Sequence, residues 1–247
     1  MPLPFHFKRK HLRLLVEAKN HWSRPLTDEE KAHGFLGWHE RGYLPHCDFP
    51  GLTQFVTFRL ADSMPVSRRD EWEHLLKIED VRERRAELEK YLDRGVGDCS
   101  LRKAKVAKIV EDTLLYFHHE RYEMLAWCVM PNHVHVLVHI KSTPLSKVVQ
   151  NWKVHAENEL RRTLRTEHRA PSRCEFMRAI DTPRRCSALR IKWQREYWDT
   201  FMRIEEQERK ASHYIENNPV KAKLCQLANE WPFSSARFRD SYARLSV

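Results

Sequence analysis

Two histidines flank one apolar residue in Met130-Pro131-Asn132-His133-Val134-His135-Val136-Leu137-Val138. The run reads as a β-strand, in which alternate residues point to one face. His133 and His135 therefore project together, while Val134, Val136 and Val138 face the other way. Imidazole is a common metal ligand, so the pair supplies half of a metal site. The plain alternative is two polar residues on a solvated sheet face, because so short a motif recurs by chance. A second segment adds weight: Lys210-Ala211-Ser212-His213-Tyr214-Ile215-Glu216-Asn217-Asn218-Pro219-Val220. Tyr214 and Asn218 stand four apart, one turn along a single helix face. Pro219 disfavours helical geometry at the residue before it, so the spacing predicts a helix ending at Asn218. Alone, such an Asn is a cap or turn residue. Alone, such a Tyr is a half-buried side chain with a satisfied hydroxyl. Together the two segments offer two nitrogens, an amide oxygen and a phenol, the parts of a metal-assisted nucleophilic attack on phosphorus.

The elements that must position these groups follow from periodicity. Residues 1–50 carry no strand pattern. Thr27-Asp28-Glu29-Glu30 is a capping box opening a helix through about Arg41. Thr53–Leu60 alternates as a strand. Ser67 and Asp70 mark a helix running to about Leu92, which Gly95 and Gly97 break. A second helix covers about Leu101 to His119. Tyr122–Met130 and Val134–Ile140 read as two strands joined tightly at Pro131-Asn132. The next helix spans about Leu145 to Thr166. Residues 167–192 are arginine-rich and have no period. Glu196–Met202 is the fourth strand, and the Tyr214 helix follows. Strand, helix, strand, strand, helix, strand is the split βαβ, or ferredoxin-like, α+β arrangement.

Composition narrows the partners. The chain has 247 residues, a net charge of +10 and 44 Lys and Arg. That balance suits a polyanion. Eight Trp and seven Tyr offer stacking platforms beside phosphate contacts, although most aromatics serve the core. Six cysteines stand at 47, 99, 128, 174, 186 and 225, and none forms a C-x-x-C pair. Cys128 is expected to be a buried free thiol. With no signal peptide and no membrane span in view, the expectation is a soluble, reduced, cytoplasmic protein.

The two segments, together with Trp193-Gln194-Arg195-Glu196-Tyr197-Trp198-Asp199, Trp231-Pro232-Phe233-Ser234-Ser235 and the strand Gly51–Leu60, resemble the single-tyrosine HUH transposases. The branch most similar is the REP-associated tyrosine transposases, relatives of the IS200/IS605 enzymes. The resemblance runs from about Gly51 to Phe238. It implies an RRM-like sheet with helices on one face and a C-terminal catalytic helix. The chain is then read as an N-terminal arm or subdomain (1–50), a transposase-like catalytic domain (51–240) and a tail (241–247). It also implies a shorter link before Trp193, so residues 167–192 read as an insertion.

The resemblance further implies a metal-dependent endonuclease and strand-transferase that cuts single-stranded DNA at hairpin-forming repeats. Tyr214 is then the nucleophile, giving a 5′-phosphotyrosine link and a free 3′-OH. His133, His135 and Asn218 are the metal ligands. Mg²⁺ or Mn²⁺ is the implied ion, and the donor types leave Zn²⁺ open. Lys210, one turn before Tyr214, is placed to favour the phenolate. Arg161, Arg162, Arg165 and Arg195, with Lys210, are the candidate DNA contacts. Arg173, Arg178, Arg184, Arg185, Arg190 and Lys192 extend that set, and a charged helix end with a solvated loop is the alternative. Glu196 and Asp199 read as structural partners, with extra acid–base groups the alternative. A monomer is favoured, with a dimer and a trans-acting Tyr left open. Two rivals stand beside this reading. One is a non-cleaving DNA- or RNA-hairpin binding module of the same fold. The other is a related HUH replication initiator or relaxase, which the Trp193 and Trp231 blocks disfavour.

Overall fold

A computed structural model describes residues 24–40, 45–168, 191–241 and 244–247. Strong alternation produces the central sheet. Strands β3 (Thr53–Arg59), β4 (Tyr122–Val129), β5 (His133–Ile140) and β6 (Trp198–Phe201) follow a short hairpin, β1 (Gly37–Glu40) and β2 (Pro45–Asp48). The four-stranded sheet has the order β4-β5-β3-β6, and every pairing is antiparallel. Helices α4 (Ala104–Leu115) and α5 (Leu145–His168) connect β3 to β4 and β5 to β6. Chain order and sheet order together make the expected ferredoxin-like α+β fold.

The even-numbered residues of β5 form the main core. Val134, Val136 and Val138 pack with Val56 and Phe58 of β3 beneath Val110 and Leu114 of α4 and Val148 and Trp152 of α5. Each side chain buried this way contributes about 1.5–3 kcal/mol. The opposite face carries His133, His135 and Leu137. Helix α6 (Glu205–Lys221) lies across it, with Ala211 and Ile215 against Phe55, Cys128 and Leu137. Cys128 is a buried free thiol, as expected.

The segment that follows α6 fixes where that helix sits. Val129 N–H donates to the Phe233 carbonyl at 2.9 Å, and the Trp231 indole donates to the Val129 carbonyl at 3.0 Å. These bonds cover the edge of β4, which would otherwise expose unpaired backbone groups. Ser235 and Arg239 then both bond Glu216 of α6, at 2.6 and 2.8 Å. The Trp193 block does similar work on β3, where Gln194 N–H donates to the Arg59 carbonyl at 2.9 Å.

Several expectations need correction. Helix α1 covers only Asp28–His33, because Gly34 takes a left-handed C-cap (φ 91°); β1 follows where helix was expected to run to Arg41. Residues 1–50 thus do contain strands, and β2 leads into Phe49 and Leu52, which pack on Phe201. The region read as one helix to Leu92 is two, α2 (Arg69–Leu76) and α3 (Val81–Asp93). Asp80 separates them by accepting from Glu83 N–H at 2.8 Å, a local N-cap that outcompetes continuation. The expected end of the Tyr214 helix at Asn218 is also wrong. Helix α6 continues through Pro219 to Lys221, and the Asn218 and Pro219 carbonyls still accept from Ala222 and Leu224. Among the described residues, no helix is long and apolar enough to cross a membrane.

Candidate active site

The strand places the two imidazoles as their spacing demands. His133 and His135 are 1% and 0% exposed, and their Nε2 atoms lie 3.0 Å apart. Asn132 settles the first tautomer. Its Nδ2 donates to the carbonyls of Leu92 (3.2 Å) and Val96 (3.0 Å), leaving Oδ1 to accept from His133 Nδ1 at 2.7 Å. Neutral His133 therefore carries its lone pair on Nε2. His135 Nδ1 meets Thr57 Oγ1 at 2.8 Å, and that hydroxyl can donate or accept. If it donates, His135 gives an N–H to His133. If it accepts, two lone pairs face each other and need a cation between them. Burial, then the neighbouring His135, holds the His133 pKa well below the usual imidazole value. Burial, then Arg85 and Lys221, lowers that of His135 to about 3. Both rings are thus neutral near pH 7, the form that binds metal.

Helix α6 brings the other two predicted residues to this face. The Tyr214 ring packs on His135 with centroids 6.0 Å apart and on Phe55 at 5.8 Å. Asn218, one turn on, is fully buried, and neither its Nδ2 nor its Oδ1 finds a hydrogen-bond partner among the described residues. A buried amide left unpaired costs about 1–3 kcal/mol, so its retention asks for a ligand. The donor set suits a divalent cation. Two nitrogens each about 2.1 Å from one ion at a right angle lie about 3.0 Å apart. Among the described residues no group of three or more His, Cys, Asp or Glu side chains is placed to hold a metal. Asn218, buried on the helix that covers the pair, would be a candidate third donor.

Residues that the motifs did not reveal complete the site. The Tyr214 hydroxyl donates to Glu89 Oε2 at 2.7 Å. Arg85 Nε bonds the other oxygen of Glu89 at 3.1 Å, and its guanidinium lies over Phe55 at 4.6 Å. Arg85 also bonds the Thr200 hydroxyl on β6. Lys221 sits over the Tyr214 ring at 5.3 Å and pairs with Asp93 at 3.3 Å. Burial, followed by the charge and hydrogen bond of Glu89, pushes the Tyr214 pKa well above the usual phenol value. The resting side chain is a protonated phenol. Arg85, Glu89 and Asp93 recur every four residues on α3, and that period is the only sequence signal they left.

The remaining predicted residues lie elsewhere. Lys210 does not act on Tyr214; it reaches outward to Glu206 at 2.7 Å, and Lys221 occupies the place foreseen for it. Arg161 and Arg162 pair along α5 with Glu157 (3.7 Å) and Glu159 (3.2 Å). The Arg165 side chain lies outside the described residues, as do Arg173, Arg178, Arg184, Arg185 and Arg190. Arg195 is 95% exposed beside a groove lined by Lys153, Glu157 and Trp193. Asp199 is structural, as expected, bonding His46 of β2 and Gln54.

The chain is similar to several known proteins. Residues 102–218 match the family described as "Transposase IS200 like". The match takes in β4, β5, α5, β6 and Tyr214, and excludes α2 and α3. A candidate REP-associated tyrosine transposase of Haemophilus influenzae is 25% identical over 117 residues, 47% of this chain and 60% of that protein. The chain thus aligns with less than two thirds of this relative. A solved structure of a REP-associated tyrosine transposase bound to a REP hairpin covers 86% of this chain and 99% of its own, with 16% identity and a TM-score of 0.42.

Proposed function

With an IS200-like transposase segment as the premise, we propose that this chain cuts and rejoins single-stranded DNA at hairpin-forming repeats through a covalent phosphotyrosine. The observation that supports the reading is the packing of Tyr214 on His135 of the buried His133–His135 pair, with an Asn218 amide one turn on that has no hydrogen-bond partner among the described residues. A divalent ion, Mg²⁺ or Mn²⁺ with Zn²⁺ open, would be held by His133, His135 and Asn218. When bound, it would withdraw charge from the non-bridging phosphate oxygens and orient the phosphorus. Tyr214 Oη attacks that phosphorus, and the 3′ oxygen leaves. One phosphoester replaces another, so bond energy is conserved and rejoining needs no nucleotide. The ligands are almost wholly buried, so a backbone phosphate reaches them only after a covering element shifts. Arg195 and the α5 arginines serve as DNA contacts, and a phosphate at Arg161 or Arg162 displaces its helix partner.

The test is cleavage of a 5′-labelled repeat-hairpin strand with Mn²⁺. The wild type should release a shortened labelled strand with a 3′-OH and retain the other fragment on protein. Tyr214→Phe should bind the hairpin and cut nothing. Cleavage unchanged in Tyr214→Phe would remove the tyrosine mechanism. Tight hairpin binding without cleavage by the wild type would assign the non-cleaving module instead.

A further inference from the structure

We propose that Glu89 is a catalytic residue: it takes the Tyr214 proton during attack and returns it during rejoining. The inference rests on the transposase reading above and adds to it an element, α3, that lies outside the matched residues 102–218. Three observations carry it. The carboxylate already accepts the phenol proton's hydrogen bond at 2.7 Å, the reach a general base requires. Its other oxygen is held by Arg85, itself tied to Thr200 on β6, so the carboxylate is oriented from two elements. The end of α3 is clamped by Asn132, which bonds the Leu92 and Val96 carbonyls with one side of its amide and His133 with the other. His133 and the end of the helix that carries the carboxylate are therefore held by the same residue.

Other candidate bases are engaged elsewhere. Asp93 pairs with Lys221, and Lys210 pairs with Glu206 on the surface. Charged and titratable groups facing Glu89 are Arg85 and Asp93 on its own helix, Tyr214 and Lys221 on α6, and the two imidazoles on β5. The Tyr214 O–P bond forms and the P–O3′ bond breaks. The phenol proton passes to Glu89 as the oxygen loses electron density to phosphorus, and the 3′ oxygen takes its electron pair and a proton from solvent water. Rejoining runs in reverse, with protonated Glu89 neutralising the departing phenolate.

Single-turnover cleavage of the labelled hairpin strand with Mn²⁺ tests this in Glu89→Gln and Glu89→Ala. Glu89→Gln should bind the hairpin as the wild type does yet cleave about 10²–10³-fold more slowly at neutral pH. Its rate should climb with pH, as hydroxide takes over proton removal, while the wild-type profile stays flatter. In Glu89→Ala, added formate should restore part of the rate, a rescue that a merely structural role would not give. Wild-type speed in Glu89→Gln would overturn the proposal. So would faster cleavage, which would make the Glu89 contact a latch, and so would a folded, slow Glu89→Ala that formate leaves unchanged. If Tyr214→Phe still cuts, the transposase reading falls. If Tyr214→Phe is dead and Glu89→Gln is normal, only the role of Glu89 falls.

Discussion

Strand β5 serves two faces with opposite demands. Its Val134, Val136 and Val138 face α4 and α5 in an apolar core. There the buried Tyr122 hydroxyl both donates to the Leu114 carbonyl and accepts from the Trp152 indole, each at 2.8 Å. Its His133 and His135 face α6 and α3. There both amide atoms of Asn218 lack a partner among the described residues, and a carboxylate is spent on a tyrosine. One face is built for stability. The other retains polar groups whose best partners would be an ion and a phosphate, so it costs stability that the first must offset.

Substitutions on the two faces should therefore separate activity from stability. The largest effect should come from Tyr214→Phe, with loss of detectable cleavage and covalent adduct at an unchanged far-ultraviolet circular dichroism spectrum. Chelation should match it: EDTA should abolish wild-type cleavage, and Mn²⁺ should restore it. Saturating Mn²⁺ at 100 times its dissociation constant should also stabilise the folded protein by about 2.7 kcal/mol, seen as a raised melting temperature. Asn218→Leu removes two unpaired polar atoms at nearly constant volume. It should raise stability in EDTA by about 1–3 kcal/mol, lose the Mn²⁺-dependent rise and cleave poorly. A drop in stability in EDTA would contradict the contrast between the faces. Val136→Ala should do the reverse, costing about 2 kcal/mol in urea unfolding while cleavage per folded molecule persists. The smallest effect belongs off both faces. Thr27→Ala breaks the α1 capping box, in which Thr27 and Glu30 exchange bonds of 3.2 and 2.8 Å. It should cost about 1 kcal/mol and leave cleavage untouched.

The apolar face was readable because alternation in β5 repeats over three valines and meets matching strands. The His pair and Tyr214 were readable because a period of two and a spacing of four fix which side chains share a face. Glu89 was not, because an Arg85–Glu89 pair four apart looks the same on any solvated helix. Only the tertiary packing of α3 on Tyr214 gives it meaning. The β1–β2 hairpin escaped for a related reason. Its strands have four residues each, too few to show a period, and they are secured by remote partners such as Asp199 and Phe201. The break at Asp80 turns on one local N-cap bond, too small a signal to interrupt a helical period in the sequence.

The polar face of β5 is proposed as a cation site facing Tyr214. Anomalous diffraction from crystals grown with Mn²⁺ tests it most directly. One strong peak is expected between His133 Nε2, His135 Nε2 and the Asn218 amide oxygen, beside the Tyr214 ring. At saturating Mn²⁺, no peak there, with the two imidazoles still 3.0 Å apart in direct contact, would contradict it.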